Sequence, residues 1–329
     1  GMTEELADTN TISPGNNVTI TSGGTYTVQG GTYTKTGPRD PFGGVITIDT
    51  TEKVTLEITG NINMPGDDDG CFISIENACK ELTIINEYTV YVDNNVFLNN
   101  KNKDATVTFE GGTYEALTNN GGSIIQNVGV VNLKYVNFNA TGSWDSGNIV
   151  RNSWFSLAGT INIQDGTILD DNNRSGNFPV YPCIDLGTVN MYGGTITSSE
   201  GIENSGDENV SITIGNVTFE NNNCDIVMDS GKKFTIQDDF QGTASVKVNS
   251  FPCTITTPGT SPEMCKRITY DDGFHSISYD TTEKCLYVSD HLHSWSYSTS
   301  ADKIIATCTA KPDCEFNPGK LDLTLAAAD

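Results

Sequence analysis

Carboxylates, an amide and a guanidinium recur at one position of a spaced pattern: Glu76, Gln126, Arg151, Asp185, Glu203 and Asp229, with Leu98 or Asn99 at a less regular unit between the first two. If the units stack as strands, neighbours in this row lie ~4.8 Å apart. Asp185 and Glu203 would then approach the ~5 to 5.5 Å separation of a retaining glycosidase. Arg151 beside them would lower a carboxylate pKa or steer an anionic sugar. The same groups also suit binding without chemistry, because carboxylates and amides hydrogen-bond sugar hydroxyls. Three long insertions, 61–70, 140–147 and 170–182, reach the same corner as the row. They carry Asp67, Asp68 and Asp69, then Trp144 and Asp145, then Asp170, Asp171, Arg174, Phe178 and Tyr181. Aromatic faces suit sugar rings, and clustered carboxylates suit a hard cation such as calcium. Asp67 to Gly70 lacks the alternating spacing of a calcium loop. The residues expected to contact ligand are Glu76, Gln126, Arg151, Asp185, Glu203, Trp144 and Tyr181, with Asp67, Asp68 and Asp69 as the calcium candidates.

The elements that position these residues are strands of an internal repeat. Alternating apolar-polar segments begin at Val54, Leu82, Val107, Val131, Ile161, Val189, Ile212 and Phe234, spaced by 28, 25, 24, 30, 28, 23 and 22 residues. A segment from Val18 matches the same template. Each runs apolar-polar-apolar, breaks for two residues that are often Gly-Gly, and resumes with one more apolar residue; a third short strand precedes it. Three short strands per unit of about two dozen residues is the signature of an all-β, right-handed parallel β-helix of about nine coils. Val107, Val131, Ile161, Val189 and Ile212 should stack in one inward column, and Phe109, Leu133, Ile163, Met191 and Ile214 in the next. Asn77, Asn127, Asn152 and Asn204 recur at one turn, where left-handed dihedrals and amide bonds to the next coil are expected.

Composition agrees. The 329 residues include 42 Thr, 33 Asn and 33 Gly, with only 18% charged, a mix that favours strands and turns. A net charge of -24 repels a phosphate backbone, so no nucleic-acid partner is expected, and the absence of a long apolar run excludes membrane insertion by a helix. Of the 33 Asn, 32 fall at or before Asn249, whereas all three His and five of nine Cys lie beyond position 250. The expected organisation is therefore a tag remnant and loose segment over 1–17, a β-helix over 18–250 and a small β-rich region over 251–329. Cys71, Cys79, Cys183 and Cys224 read as buried thiols, and Cys253/Cys265 and Cys308/Cys314 as local disulfides. Three His near Cys285 raise a zinc site, but no CxxC or HxxxH spacing exists, so His291 and His293 beside Trp295 read as a surface strand.

By this template, the coils resemble the pectin-lyase-like β-helix superfamily. The tail from His293, with Trp295, Cys308 and Cys314, resembles small β modules of large surface proteins from Gram-positive gut bacteria. Together these resemblances imply an extracellular protein, secreted or attached to the cell wall. β-Helical polygalacturonases carry Asn-Thr-Asp, Asp-Asp, Gly-His-Gly and Arg-Ile-Lys motifs; here only Asp238-Asp239 matches, and the coils hold no His. Pectate lyases pair calcium carboxylates with an Arg or Lys base; this chain has four Arg in all. The expectation is thus a non-catalytic, adhesin-like protein that binds polysaccharide or another host or cell-wall surface ligand, with no cofactor beyond calcium. Two alternatives stay open: a polysaccharide lyase or glycoside hydrolase using Asp185, Glu203 and Arg151, and a spacer within a larger surface protein.

Overall fold

The computed structural model describes residues 4–5, 10–34, 44–65, 70–93, 96–154, 156–171, 183–197, 200–204, 211–229, 231–311, 314 and 322–324, with side chains except at 4–5, 118–122, 141–147, 204 and 322–324. It is all-β, with one short 3-10 helix, Pro262–Lys266, among the described residues. The strands form a parallel β-solenoid of about eight turns with three sheets per turn, which fits the right-handed parallel β-helix and is one turn shorter than the repeat spacing gives.

The most regular face is a ladder of ten strands, beginning at Thr11–Ile12 and Gly24–Val28 and ending at Ile212–Ile214 and Phe234–Ile236. Its register is that of the template. Val54, Leu82, Val107, Val131, Ile161, Val189, Ile212 and Phe234 are successive partners, and so are Leu56, Ile84, Phe109, Leu133, Ile163, Met191, Ile214 and Ile236. Both inward columns are buried, because a strand with alternating polarity has only one way to face a core. Beside these columns, on strands of the neighbouring faces, the core of the middle coils becomes aromatic. Phe72 and Phe97 stack at 5.4 Å between centroids, Phe97 meets Tyr114 at 4.7 Å, and Tyr114 stacks on Phe138 at 5.2 Å. Ring-on-ring contact from coil to coil adds to the area that each ring buries.

Amides bind the coils together at two levels. Buried Asn100 donates to Asn127 Oδ1 at 3.0 Å, and Asn127 donates to Asn152 Oδ1 at 2.9 Å. Asn162 donates to Asn132 at 2.8 Å and Asn190 to Asn162 at 2.9 Å on the outward side of the ten-stranded ladder. The expected amide ladder therefore exists, but Asn100 rather than Asn77 begins it; Asn77 instead reaches Asp49 at 3.4 Å. Left-handed dihedrals do not accompany it. Among the described residues, the non-glycine positions with positive φ are Asn10, Tyr135, Leu186, Asn221, Lys284 and Ala301.

The core continues past Asn249 without a break. Cys253, Ile255, Met264, Ile268, Leu286 and Val288 belong to the same apolar cluster as the coils, and Ile268–Thr269 pairs in parallel with Ala244–Lys247. An antiparallel sheet of Cys253–Thr254, Ile277–Asp280 and Cys285–Val288 closes this end of the rod. Parallel edges invite further strands, and a change to antiparallel pairing stops the series. Beyond it, Trp295–Ser300, Lys303–Cys308 and Asp322–Thr324 form a separate three-stranded antiparallel sheet. None of the nine cysteines is in a disulfide. The expected Cys253/Cys265 bridge is not made because Cys253 Sγ turns to its neighbour Thr254's carbonyl and Cys265 Sγ to that of Ile277. The Cys308/Cys314 bridge is not made because each sulfur faces a histidine ring.

Candidate functional site

The predicted row exists, with two members displaced. Strand pairing aligns Ser74, Asn99, Gln126, Arg151, Asp185, Glu203, Val227 and Lys247. Glu76 and Asp229 each sit two residues further along their strands than the row; Glu76 is paired with Lys101 Nζ at 2.6 Å, and Asp229 accepts from Asn249 at 3.3 Å. Arg151, Asp185 and Glu203 therefore form a contiguous charged patch on three coils, with Gln126 before it. The Arg151 guanidinium lies 6.0 Å from the centre of the Trp154 ring. Burial raises the Asp185 carboxyl above its ordinary range, against the opposing pull of Arg151. The 140–147 insertion is not a loop. It belongs to one continuous strand, Asn137–Arg151, which carries the sheet around the corner beside Thr113–Asn127. Trp144 lies in that strand opposite Asn119. Asp67, Asp68, Asp69, Arg174, Phe178 and Tyr181 lie outside the described residues.

A second site, at the corner that follows the ten-stranded ladder, was not anticipated. Lys134, Tyr135, Gln164, Asp165 and Tyr192 line a shallow pocket of about 240 Å³. The two tyrosines come from coils two apart, or ~10 Å along the rod. Tyr135 follows Lys134, the ladder partner of Glu110, so it occupies the place that Gly111 holds one coil earlier. Gly111 takes φ 77 there and Tyr135 takes φ 54. A tyrosine in the left-handed region costs roughly 1 to 2 kcal/mol relative to glycine. Core packing does not repay this, because Tyr135 is 69% exposed and Tyr192 is 43% exposed. Gly166 makes room for the ring: a Cβ there would stand 2.2 Å from Tyr135 Cδ1. The ring thus sits against a bare backbone and is largely exposed, next to a carboxylate, an amide and an amine.

A third cluster lies in the tail, from side chains that sequence spacing kept apart. His291 and His293 precede the strand Trp295–Ser300 rather than lying in it, which corrects the surface-strand reading. Trp295 pairs with Cys308, and this antiparallel register swings both rings over the thiols. Cys308 Sγ is 3.5 Å from His291 Nε2, and Cys314 Sγ is 3.6 Å from His293 Nδ1. His291 Nδ1 faces the Asp290 carboxylate, which Lys311 Nζ holds from its other oxygen at 2.7 Å. Burial opposes ionisation of Cys308, but hydrogen bonds with His293 and His291 prevail and bring its thiol down to about 5.

No protein-family profile, no curated protein and no solved structure matches the chain in comparison. No described helix is long and apolar enough to cross a membrane.

Proposed function

We propose that this protein is a non-catalytic, extracellular, adhesin-like β-helix that binds carbohydrate of a polysaccharide, cell-wall or host surface along the side of its rod. The observation that carries this reading is Tyr135, an exposed aromatic held in a strained backbone conformation beside Tyr192, Lys134, Gln164 and Asp165. Strain kept where it serves no core points to a ligand. Open tyrosine faces with a few polar groups between them match a sugar ring's apolar face and hydroxyl rim. A neutral glycan suits it better than a polyuronate, which a net charge of -24 would repel.

The test is a glycan panel scored for binding and for product release, with and without calcium. Tyr135→Ala and Tyr192→Ala should each weaken binding roughly tenfold, as loss of an aromatic anchor does. Unchanged binding in both variants would remove this corner from the reading. A second reading, hydrolase or lyase, draws on Asp185, whose raised carboxyl stands between Arg151 and Glu203 as a general acid would. Product formation that disappears in Asp185→Asn would establish it over the first. Silence in both channels would favour the spacer.

A further inference from the structure

We propose that His291, His293, Cys308 and Cys314 form a structural zinc site that serves as the core of the tail. The four ligand atoms lie within 4.8 Å of one another. The finer distances are more telling. Zn–S bonds of ~2.3 Å and Zn–N bonds of ~2.05 Å at a tetrahedral angle require N···S edges of about 3.6 Å. The observed edges are 3.5 Å for His291 Nε2 to Cys308 Sγ and 3.6 Å for His293 Nδ1 to Cys314 Sγ. Two thiolates with two imidazoles is the tetrahedral donor set that selects zinc over the harder divalent ions.

The surroundings are those of a metal centre. His291 turns its other nitrogen to Asp290, the carboxylate-histidine arrangement that fixes the ring and its tautomer for coordination. Trp295 stacks on His293 at 4.6 Å, covering one side. Both sulfurs are buried and both rings are half-buried, so little water competes. Four protein ligands leave no open position, which makes the site structural rather than catalytic.

The tail's composition gives the reason for such a centre. Among the described residues, its apolar cluster consists of Cys308 and Cys314 with Tyr287 of the preceding sheet, and Trp295 packs against them, while Tyr297 is 65% exposed. Small modules of this kind are stapled by metals or disulfides. The two cysteines are placed for the metal: each thiol points at an imidazole.

The experiment uses the whole chain, purified without chelator from zinc-supplemented cells. Elemental analysis should find one zinc per chain, and replacement by cobalt should give the intense visible bands of a tetrahedral thiolate site. Cys308→Ser/Cys314→Ser should lose the metal, whereas Cys265→Ser should keep it. Because the double variant would also loosen the tail, the wild type supplies a second measure: chelation should raise the alkylation rate of Cys308 and Cys314 at least tenfold. Protein without stoichiometric zinc, a Cys308–Cys314 disulfide in the purified chain, or zinc retained by the double variant would each overturn the proposal.

Discussion

The rod and the tail are both β-structures, yet they solve the problem of a core in opposite ways. In the rod, every coil contributes a few apolar side chains to columns that run its whole length, and each coil contacts only the one before and the one after. Stability in such a stack is close to a sum of nearest-neighbour contributions. In the tail, the described apolar cluster beside the three antiparallel strands is two sulfurs and two aromatic rings, one of them from the preceding sheet. Removing one side chain from the rod damages one layer among about eight, whereas removing one from the tail takes away a large part of that described cluster. Cohesion that grows with repetition needs no special chemistry; cohesion confined to a few residues does.

That contrast can be tested, starting with the most damaging change. Phe97→Ala should cost the rod about 3 to 5 kcal/mol, since it opens a cavity among Phe72, Phe109 and Tyr114. Chemical denaturation should record the loss in the main transition, while alkylation of Cys308 stays at the wild-type rate. If both move together, the two regions are one cooperative unit. Next in size is Asn127→Ala, which removes bonds to Asn100, Asn152, Gly129 and Thr160 from a buried position. It should cost about 2 to 3 kcal/mol, against about 1 kcal/mol for the half-buried Asn132→Ala on the outer ladder. Equal costs would mean that burial does not distinguish the two ladders.

Tyr135→Gly should act in the reverse direction, stabilising the rod by about 1 kcal/mol through relief of its left-handed backbone while weakening the proposed carbohydrate binding roughly tenfold. A destabilised variant would show that the ring contributes to packing after all. The smallest effect is in pH dependence. The folded-state pKa of Asp185 is raised, so its contribution is full below the ordinary aspartate range and declines as pH rises through the raised value. Melting temperatures of wild type minus Asp185→Asn should therefore fall from about pH 3 upward and level off once Asp185 is ionised. A difference that increases with pH would require Arg151 to outweigh burial.

How far these regions could be read from sequence follows from their physics. The inward columns were legible because one coil repeats another at the same alternation, and the structure aligns Val107, Val131, Ile161, Val189 and Ile212 as the template does. The row from Gln126 to Glu203 follows for the same reason. Glu76 and Asp229 were misplaced by two residues, and a slip of two preserves which side chains face in, so hydrophobic alternation cannot detect it. The first slip follows from Asn77, which matches the amide of the template in type but not in register; Asn100, partnered with Ile75, holds that place. Tyr135 does carry a signal in the sequence, a tyrosine where the template has Gly111. The tail cluster left almost none, since His-x-His and two cysteines six residues apart meet only through a hairpin register. Pattern reading works where contacts repeat and weakens where each contact occurs once.

The in-register stacking also makes the rod a ruler with fixed graduations. Positions in one row are separated by whole multiples of ~4.8 Å, and Lys134, Gln164 and Tyr192 stand at successive marks. Point substitutions change what is written at a mark without moving it. Only gain or loss of an entire coil alters the interval, so the spacing of side chains along a corner changes in discrete steps of ~4.8 Å rather than continuously.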